Sequence, residues 1–233
     1  RRFIERTHTT DQMVFSTIGN LSLKAVQSVA ERYFGQKEAT KRGFQRMKPA
    51  EVEPFEKMVT KHTHQTHCIV GARAYDINAE KRLPLSLLIN ILGGPSANSR
   101  LNILLREKNG LSYNIEANYT PYNDCGMVAM YFSTDHHNLD LCRELIDKEL
   151  RELRTTRLSS RRMAMTKRQF LAQMAISMEN NEGYMLGAGK SFLVHDEIDT
   201  LEEVYRKVSA VTAEQIMEVA EEIFSRTSTL IYQ

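Results

Sequence analysis

Arg106 and Tyr113 are the pair in this chain whose types and spacing point most directly to chemistry. An arginine is a permanent cation with a fixed fork of donors, and a tyrosine hydroxyl can donate or accept a hydrogen bond. Both lie in the stretch from Leu92 to Tyr119, which reads as a glycine turn, a helix, a second tight turn and a strand. Gly93, Gly94 and Pro95 stop any preceding helix, through the entropy cost of glycine and the missing N–H of proline. Ser96 or Asn98 can cap a new helix. Leu101, Leu104 and Leu105 share one face of it, with Arg100, Arg106 and Lys108 toward its C-terminal end, where the helix dipole favours cations. Asn109-Gly110 ends it, since both residues tolerate positive φ. Leu111, Tyr113, Ile115, Ala117 and Tyr119 then alternate with polar residues, which predicts a half-buried strand. The turn between helix and strand brings the cation and the phenol to one edge of a sheet. Two readings follow: a helix-end cation beside a core tyrosine, or a polar pair presented to a ligand.

Other candidates are weaker. In His62-Thr63-His64-Gln65-Thr66-His67, an extended chain places His62 and His64 on one face and His67 on the other. Those three cannot converge on a metal without a kink, so the run reads as a polar strand end. Gly183, Gly187 and Gly189 lack the spacing of a dinucleotide fingerprint and read as close helix packing. Cys68, Cys125 and Cys142 are too few and too scattered for a disulfide framework or a cysteine zinc site. Met163, Met165, Met174 and Met178 read as core filler. There is no phosphate loop and no nucleophile–histidine pairing.

The elements that must position the pair belong to an ordinary globular chain. It has 233 residues, with 42% hydrophobic and 26% charged content. A net charge of +2 argues against a nucleic-acid binder. No apolar run reaches the roughly 20 residues of a membrane span. The opening, Arg1 to Arg6, resembles the middle of an amphipathic helix and carries no signal-peptide pattern, so we expect a larger parent polypeptide. Met13 to Ile18 reads as a short strand, and Ser22 caps a helix with a stripe of Val26, Val29, Ala30, Tyr33 and Phe34. Residues 36–60 show no sustained period and read as a linker, with Lys37, Lys41, Arg42, Arg46 and Lys48 as a solvated face. Strands follow at Cys68–Tyr75 and Gly126–Thr134, and helices at Leu83–Leu92, from Asn138, and over 159–180. Thr212 and Gln215 form a capping-box pattern before the last helix, and Thr229–Tyr232 is a closing strand. The helix–turn–strand at each end of the chain echoes the other, which suggests two domains of one design.

The order of elements and the wording SRLNILLREKNGLSY, from Ser99 to Tyr113, resemble the second domain of the pitrilysin/insulinase family of zinc metallopeptidases, which includes the mitochondrial processing peptidases. The resemblance covers nearly the whole chain. It implies an α+β, processing-peptidase-like two-layer domain with a mostly antiparallel mixed sheet packed against helices. It also implies that residues 1–35 end a preceding homologous domain, that 36–60 link, and that 61–233 form the second, non-zinc-binding domain. In that family the second domain presents an Arg and a Tyr to the substrate backbone, and Arg106 and Tyr113 match them by motif position. The guanidinium would hold a peptide carbonyl, and the hydroxyl would stabilise an oxyanion.

One departure shapes the expectation. The family's zinc motif, His-x-x-Glu-His, is absent, and neither His195-Asp196-Glu197 nor His136-His137 replaces it. We therefore expect no catalytic residue, no metal ligand and no cofactor in this segment, with zinc held upstream in the parent. The expected role is the C-terminal, peptide-clamping half of a zinc metalloendopeptidase, inactive alone. The alternative is a non-catalytic partner or structural subunit of the same family. Expected partners are a peptide or unfolded polypeptide, the N-terminal zinc domain of the same chain, and a homodimer mate or second subunit, with no nucleic acid and no membrane span. Reduced cysteines lean the compartment toward the cytoplasm.

Overall fold

The computed structural model describes residues 2–45 and 47–233, so the readings of Arg1 and Arg46 lie outside the described residues. The described α-helices are α1 (Arg2–Thr7), α2 (Leu23–Phe34), α3 (Arg82–Gly93), α4 (Leu139–Thr155), α5 (Ser160–Met178), α6 (Asn181–His195), α7 (Leu201–Ala210) and α8 (Ala213–Phe224). The strands are β1 (Glu56–Val59), β2 (Thr66–Ala74), β3 (Ile115–Pro121), β4 (Gly126–Thr134) and β5 (Ser228–Tyr232). A π-helix spans Asn102–Lys108. The chain divides into two compact units, residues 1–47 with 172–204, and residues 48–171 with 205–233.

The larger unit is the expected α+β layer pair. Its sheet runs in the order β1-β5-β2-β4-β3, with β1 parallel to β5 and the other neighbours antiparallel. Alternate residues point to one face of a strand. Cys68, Val70 and Ala72 of β2, Ile115 and Ala117 of β3, Val128, Met130 and Phe132 of β4, and Ile231 of β5 are thereby all buried. Helices α3, α4 and α8 cover that face, and the apolar stripe of α4, from Leu139 through Cys142, Ile146 and Leu150 to Leu153, is buried as its spacing predicts. Burial also pushes the Cys68 thiol up to about 12 and raises that of Cys142, so both stay protonated core residues.

Helix α8 is fixed at both ends. At its start Thr212 Oγ1 accepts from Gln215 N at 3.2 Å and Gln215 Oε1 accepts from Thr212 N at 2.9 Å, the reciprocal cap the sequence predicts. In its last turns Glu222 accepts from the Tyr75 hydroxyl and pairs with Lys81, which also reaches Glu218 at 2.8 Å. At the other end of α3, Gly93 comes so close to β3 that a Cβ there would sit 2.7 Å from the Ala117 backbone nitrogen.

The smaller unit contains both polar contacts and a ring contact between Phe15 and Phe34, whose centroids lie 5.7 Å apart. Thr10 and Thr40 exchange hydrogen bonds, Ser22 Oγ caps α2 through Ala25 N at 3.3 Å, and Ser16 Oγ donates to the Met185 carbonyl at 2.9 Å. No residue of α1, α2 or α6 is fully buried; of the predicted α2 stripe, Val26 and Ala30 are half-buried and Phe34 meets Phe15.

Several readings need correction. Met13–Ile18 forms no strand: its described neighbour is helix α6, through Ser16 Oγ and the Met185 carbonyl, and a helix offers no ladder. The stretch read as linker ends in β1, an edge strand whose mostly exposed side chains leave no alternation to read. Of the four methionines, Met163 is buried and Met165 is 52% exposed, since the two lie on different faces of α5. Among the three glycines of α6, only Gly189 makes a close approach: a Cβ added there would lie 3.1 Å from that of Ser16, while Gly187 has open space around it.

The Lys81 ammonium, and then the Tyr75 hydroxyl, hold the Glu222 carboxyl below its ordinary value. A depressed carboxylate pKa adds stability above the unfolded value of about 4.3, and that contribution is lost as pH falls through the folded value. Glu222→Gln is therefore expected to lower Tm near neutrality. The difference from wild type should shrink toward zero as the pH of the melts falls from about 6 to about 3.

Candidate functional site

The site is built from a helix that closes wide. Ser99, buried at its entry, accepts Ile103 N at its carbonyl at 3.0 Å and Asn102 Nδ2 at its hydroxyl at 2.8 Å. Asn98 is not the cap, since its side chain donates to Gln169 at 2.9 Å, while the Ser96 carbonyl accepts Ser99 N at 3.0 Å. Leu101 and Leu105 are buried and anchor the helix to the core. Arg100 sits at the start of the helix and not near its end, where it bonds Glu149 at 2.6 Å and Glu152 at 3.2 Å on α4.

Three successive carbonyls toward the end of the helix, those of Leu104, Leu105 and Arg106, are engaged. Asn109 Nδ2 donates to Leu104 O at 2.7 Å, Leu111 N to Leu105 O at 2.7 Å, and Gly110 N to Arg106 O at 3.0 Å. This is the geometry of a glycine-closed helix, one residue wider than usual because the turn before it is a π-turn. Gly110 has φ +60° and stands in the left-handed region, as the Asn-Gly pair predicts.

The two candidate residues meet just beyond that closure. The Arg106 guanidinium carbon lies 4.7 Å from the centre of the Tyr113 ring. That distance is a cation–π contact. The arginine is 44% exposed, with its Nε 3.5 Å from Glu107 Oε1, and Tyr113 is 81% exposed. The reading of Tyr113 as a core residue is thereby overturned. The predicted strand from Leu111 begins only at Ile115, so the residues before it escape the pleat that would have turned the ring inward.

The histidines do not gather. His67 Nδ1 bonds the Tyr131 hydroxyl at 2.8 Å and stacks on its ring, while His136 bonds Thr66 Oγ1 at 2.8 Å and Thr63 O at 3.1 Å. Among the described residues no three His, Cys, Asp or Glu side chains are placed to hold a metal ion. Also among them, no helix is long and apolar enough to cross a membrane.

The profile of the peptidase M16 inactive domain matches residues 1–170. The chain belongs to that family. It is thus an inactive-domain member of the M16, pitrilysin-like peptidases. A Bacillus subtilis (strain 168) protein described as an uncharacterized zinc protease, YmxG, is 29% identical over 230 residues, covering 99% of this chain and 56% of the relative. The chain therefore spans little more than half the length of that relative. The fold is shared with the crystal structure of a peptidase M16 inactive domain from Pseudomonas fluorescens, at a TM-score of 0.81 and 19% identity over 92% of this chain and 52% of the other. A chain of Complex III2 from Candida albicans has the same fold at a TM-score of 0.76 and 16% identity, over 91% of this chain and 52% of that one.

The left-handed closure gives a direct test. Gly110→Ala is expected to cost about 1–2 kcal/mol, and Gly110→Asn less, because asparagine tolerates that backbone region. Urea midpoints at unchanged m-value measure both.

Proposed function

We propose that this chain is the substrate-holding C-terminal half of a zinc metalloendopeptidase, and that Arg106 and Tyr113 contact the peptide backbone. The observation that carries the reading is the exposed cation–π pair at 4.7 Å, standing on a turn in which the carbonyls of Leu104, Leu105 and Arg106 are bonded. A guanidinium held over an aromatic ring still carries N–H donors that can reach a peptide carbonyl with charge-assisted hydrogen bonds. The Tyr113 hydroxyl, at the exposed end of its ring, can donate to the oxygen that gains charge as the scissile carbonyl becomes tetrahedral. A donor of that kind is typically worth about 3 kcal/mol.

The relatives' names carry zinc, and the described residues here do not fit that ion. We assign the metal ligands to the rest of the parent polypeptide, consistent with this chain covering 56% of YmxG. The part assigned to this chain is to bind and orient the peptide, while bond cleavage needs the remainder.

The likeness to a chain of Complex III2 favours a second reading, a structural or partner subunit without peptidase activity. One experiment separates the two: zinc-dependent peptide cleavage by the full-length parent, with Arg106→Ala and Tyr113→Phe beside wild type. Each substitution is expected to lower kcat by about ten-fold or more, the signature of a bond made in the transition state. A parent that cleaves nothing with zinc present points to the subunit reading. Cleavage unaffected by either change overturns the assignment of the pair.

A further inference from the structure

The residues on either side of Tyr113 are held to β4 chiefly by side-chain hydroxyls, before regular strand pairing begins. Ser112 is buried, and its Oγ donates to the Ser133 carbonyl at 2.6 Å. Thr134 is buried at the end of β4, and its Oγ1 donates to the Leu111 carbonyl at 2.6 Å. Behind it the Cys142 thiol on α4 donates to Thr134 Oγ1 at 3.6 Å. On the far side of the ring, Asn114 O accepts Ser133 N at 3.2 Å. Regular β3–β4 pairing begins only with Ile115 opposite Phe132.

A buried hydroxyl costs free energy unless it is bonded, so an apolar residue of like size is the easier way to fill such a place. Ser112, Ser133 and Thr134 are neighbours in a core that is otherwise overwhelmingly apolar. Both Ser112 and Thr134 spend their one donor on backbone carbonyls of this segment and its partner strand. They supplement the single backbone bond that ties 111–114 to β4, from Ser133 N to Asn114 O. With Ser112 turned inward and its carbonyl neighbour Leu111 tied to β4, the side chain between Ser112 and Asn114 is left facing outward.

We propose that Ser112 and Thr134 are positioning residues for Tyr113, their hydroxyls latching the 111–114 segment to the end of β4 so that the ring is held over Arg106. The buried Cys142 thiol, kept protonated by its surroundings, supports the latch by donating to the same threonine oxygen. The consequence for peptide binding rests on the role proposed for Tyr113 above, but the latch itself can be measured without any substrate.

The chain contains no tryptophan, so Tyr113→Trp places a single tryptophan at the site, excited selectively over the tyrosines. Its time-resolved anisotropy is then read alone and combined with Thr134→Ser, Thr134→Val and Ser112→Ala, with circular dichroism to confirm folding. Thr134→Ser keeps the hydroxyl and loses the methyl group, while Thr134→Val does the reverse. The latch requires that the slow component of the decay persist in Thr134→Ser and be lost to fast local motion in Thr134→Val and Ser112→Ala. Persistence in a folded Thr134→Val, or equal loss in Thr134→Ser and Thr134→Val, overturns it, because packing alone would then govern the segment. Should Thr134→Val not fold, Ser112→Ala decides: an unchanged slow component there overturns the proposal, and its loss supports it. A silent Tyr113→Phe in the cleavage assay would sink the substrate role and leave this result standing.

Discussion

A sheet that buries one face only constrains everything else in the larger unit. The inward residues of β2, β4, β3 and β5 need a continuous apolar cover, and α3, α4 and α8 supply it. That demand sets where the helices lie, and the polar contacts then fix them: the Thr212–Gln215 box and the Glu222 bonds on α8, and Arg100 with Glu149 between the π-helix and α4. The opposite face carries His67, Tyr131, Ile69 and Arg73, a mixed surface whose histidine and tyrosine satisfy each other. Arg73 also reaches back to the carbonyls of Pro49 and Ala50, at 3.5 and 3.4 Å, which ties the approach to β1 onto the sheet.

The candidate site follows from how this layer pair ends. Leu101 and Leu105 hold the π-helix against the core, and its wide last turn carries Arg106 out of the apolar stripe. Gly110 reverses the chain in a conformation that costs other residues free energy, and the hydroxyls of Ser112 and Thr134 then hold the returning segment until the ladder starts. Rigid support under two exposed polar groups is what preorganised recognition requires. A side chain held in place before a ligand arrives loses less entropy on binding.

Much of this was legible in the residues. The stripe of α4, the capping box of α8, the Asn-Gly closure and the meeting of Arg106 with Tyr113 all rest on local rules: helical spacing, cap chemistry and positive φ. The orientation of Tyr113 was not legible. Alternation from Leu111 to Tyr119 is continuous in sequence, and only the tertiary bonds of Ser112 and Thr134 delay the strand and free the ring. β1 was hidden for a related reason, since a parallel edge strand is defined by its partner β5 and not by its own pattern. Met13–Ile18 shows the converse: strand-like composition forms no strand when the described neighbour is a helix. The family resemblance carried by Ser99–Tyr113 agrees with the profile match, whose span of residues 1–170 includes that stretch.

The claim at the centre is that Tyr113 touches substrate. The most direct measurement puts a photo-crosslinking benzoylphenylalanine at position 113 of the full-length parent, with a second protein carrying it at Tyr122, also an exposed tyrosine, as the control. Each is irradiated with a labelled peptide. The account requires label on the peptide bonded at 113 and not at 122, with unlabelled peptide competing it away. Equal labelling at the two positions, or none at 113 while the peptide is demonstrably bound, would contradict it.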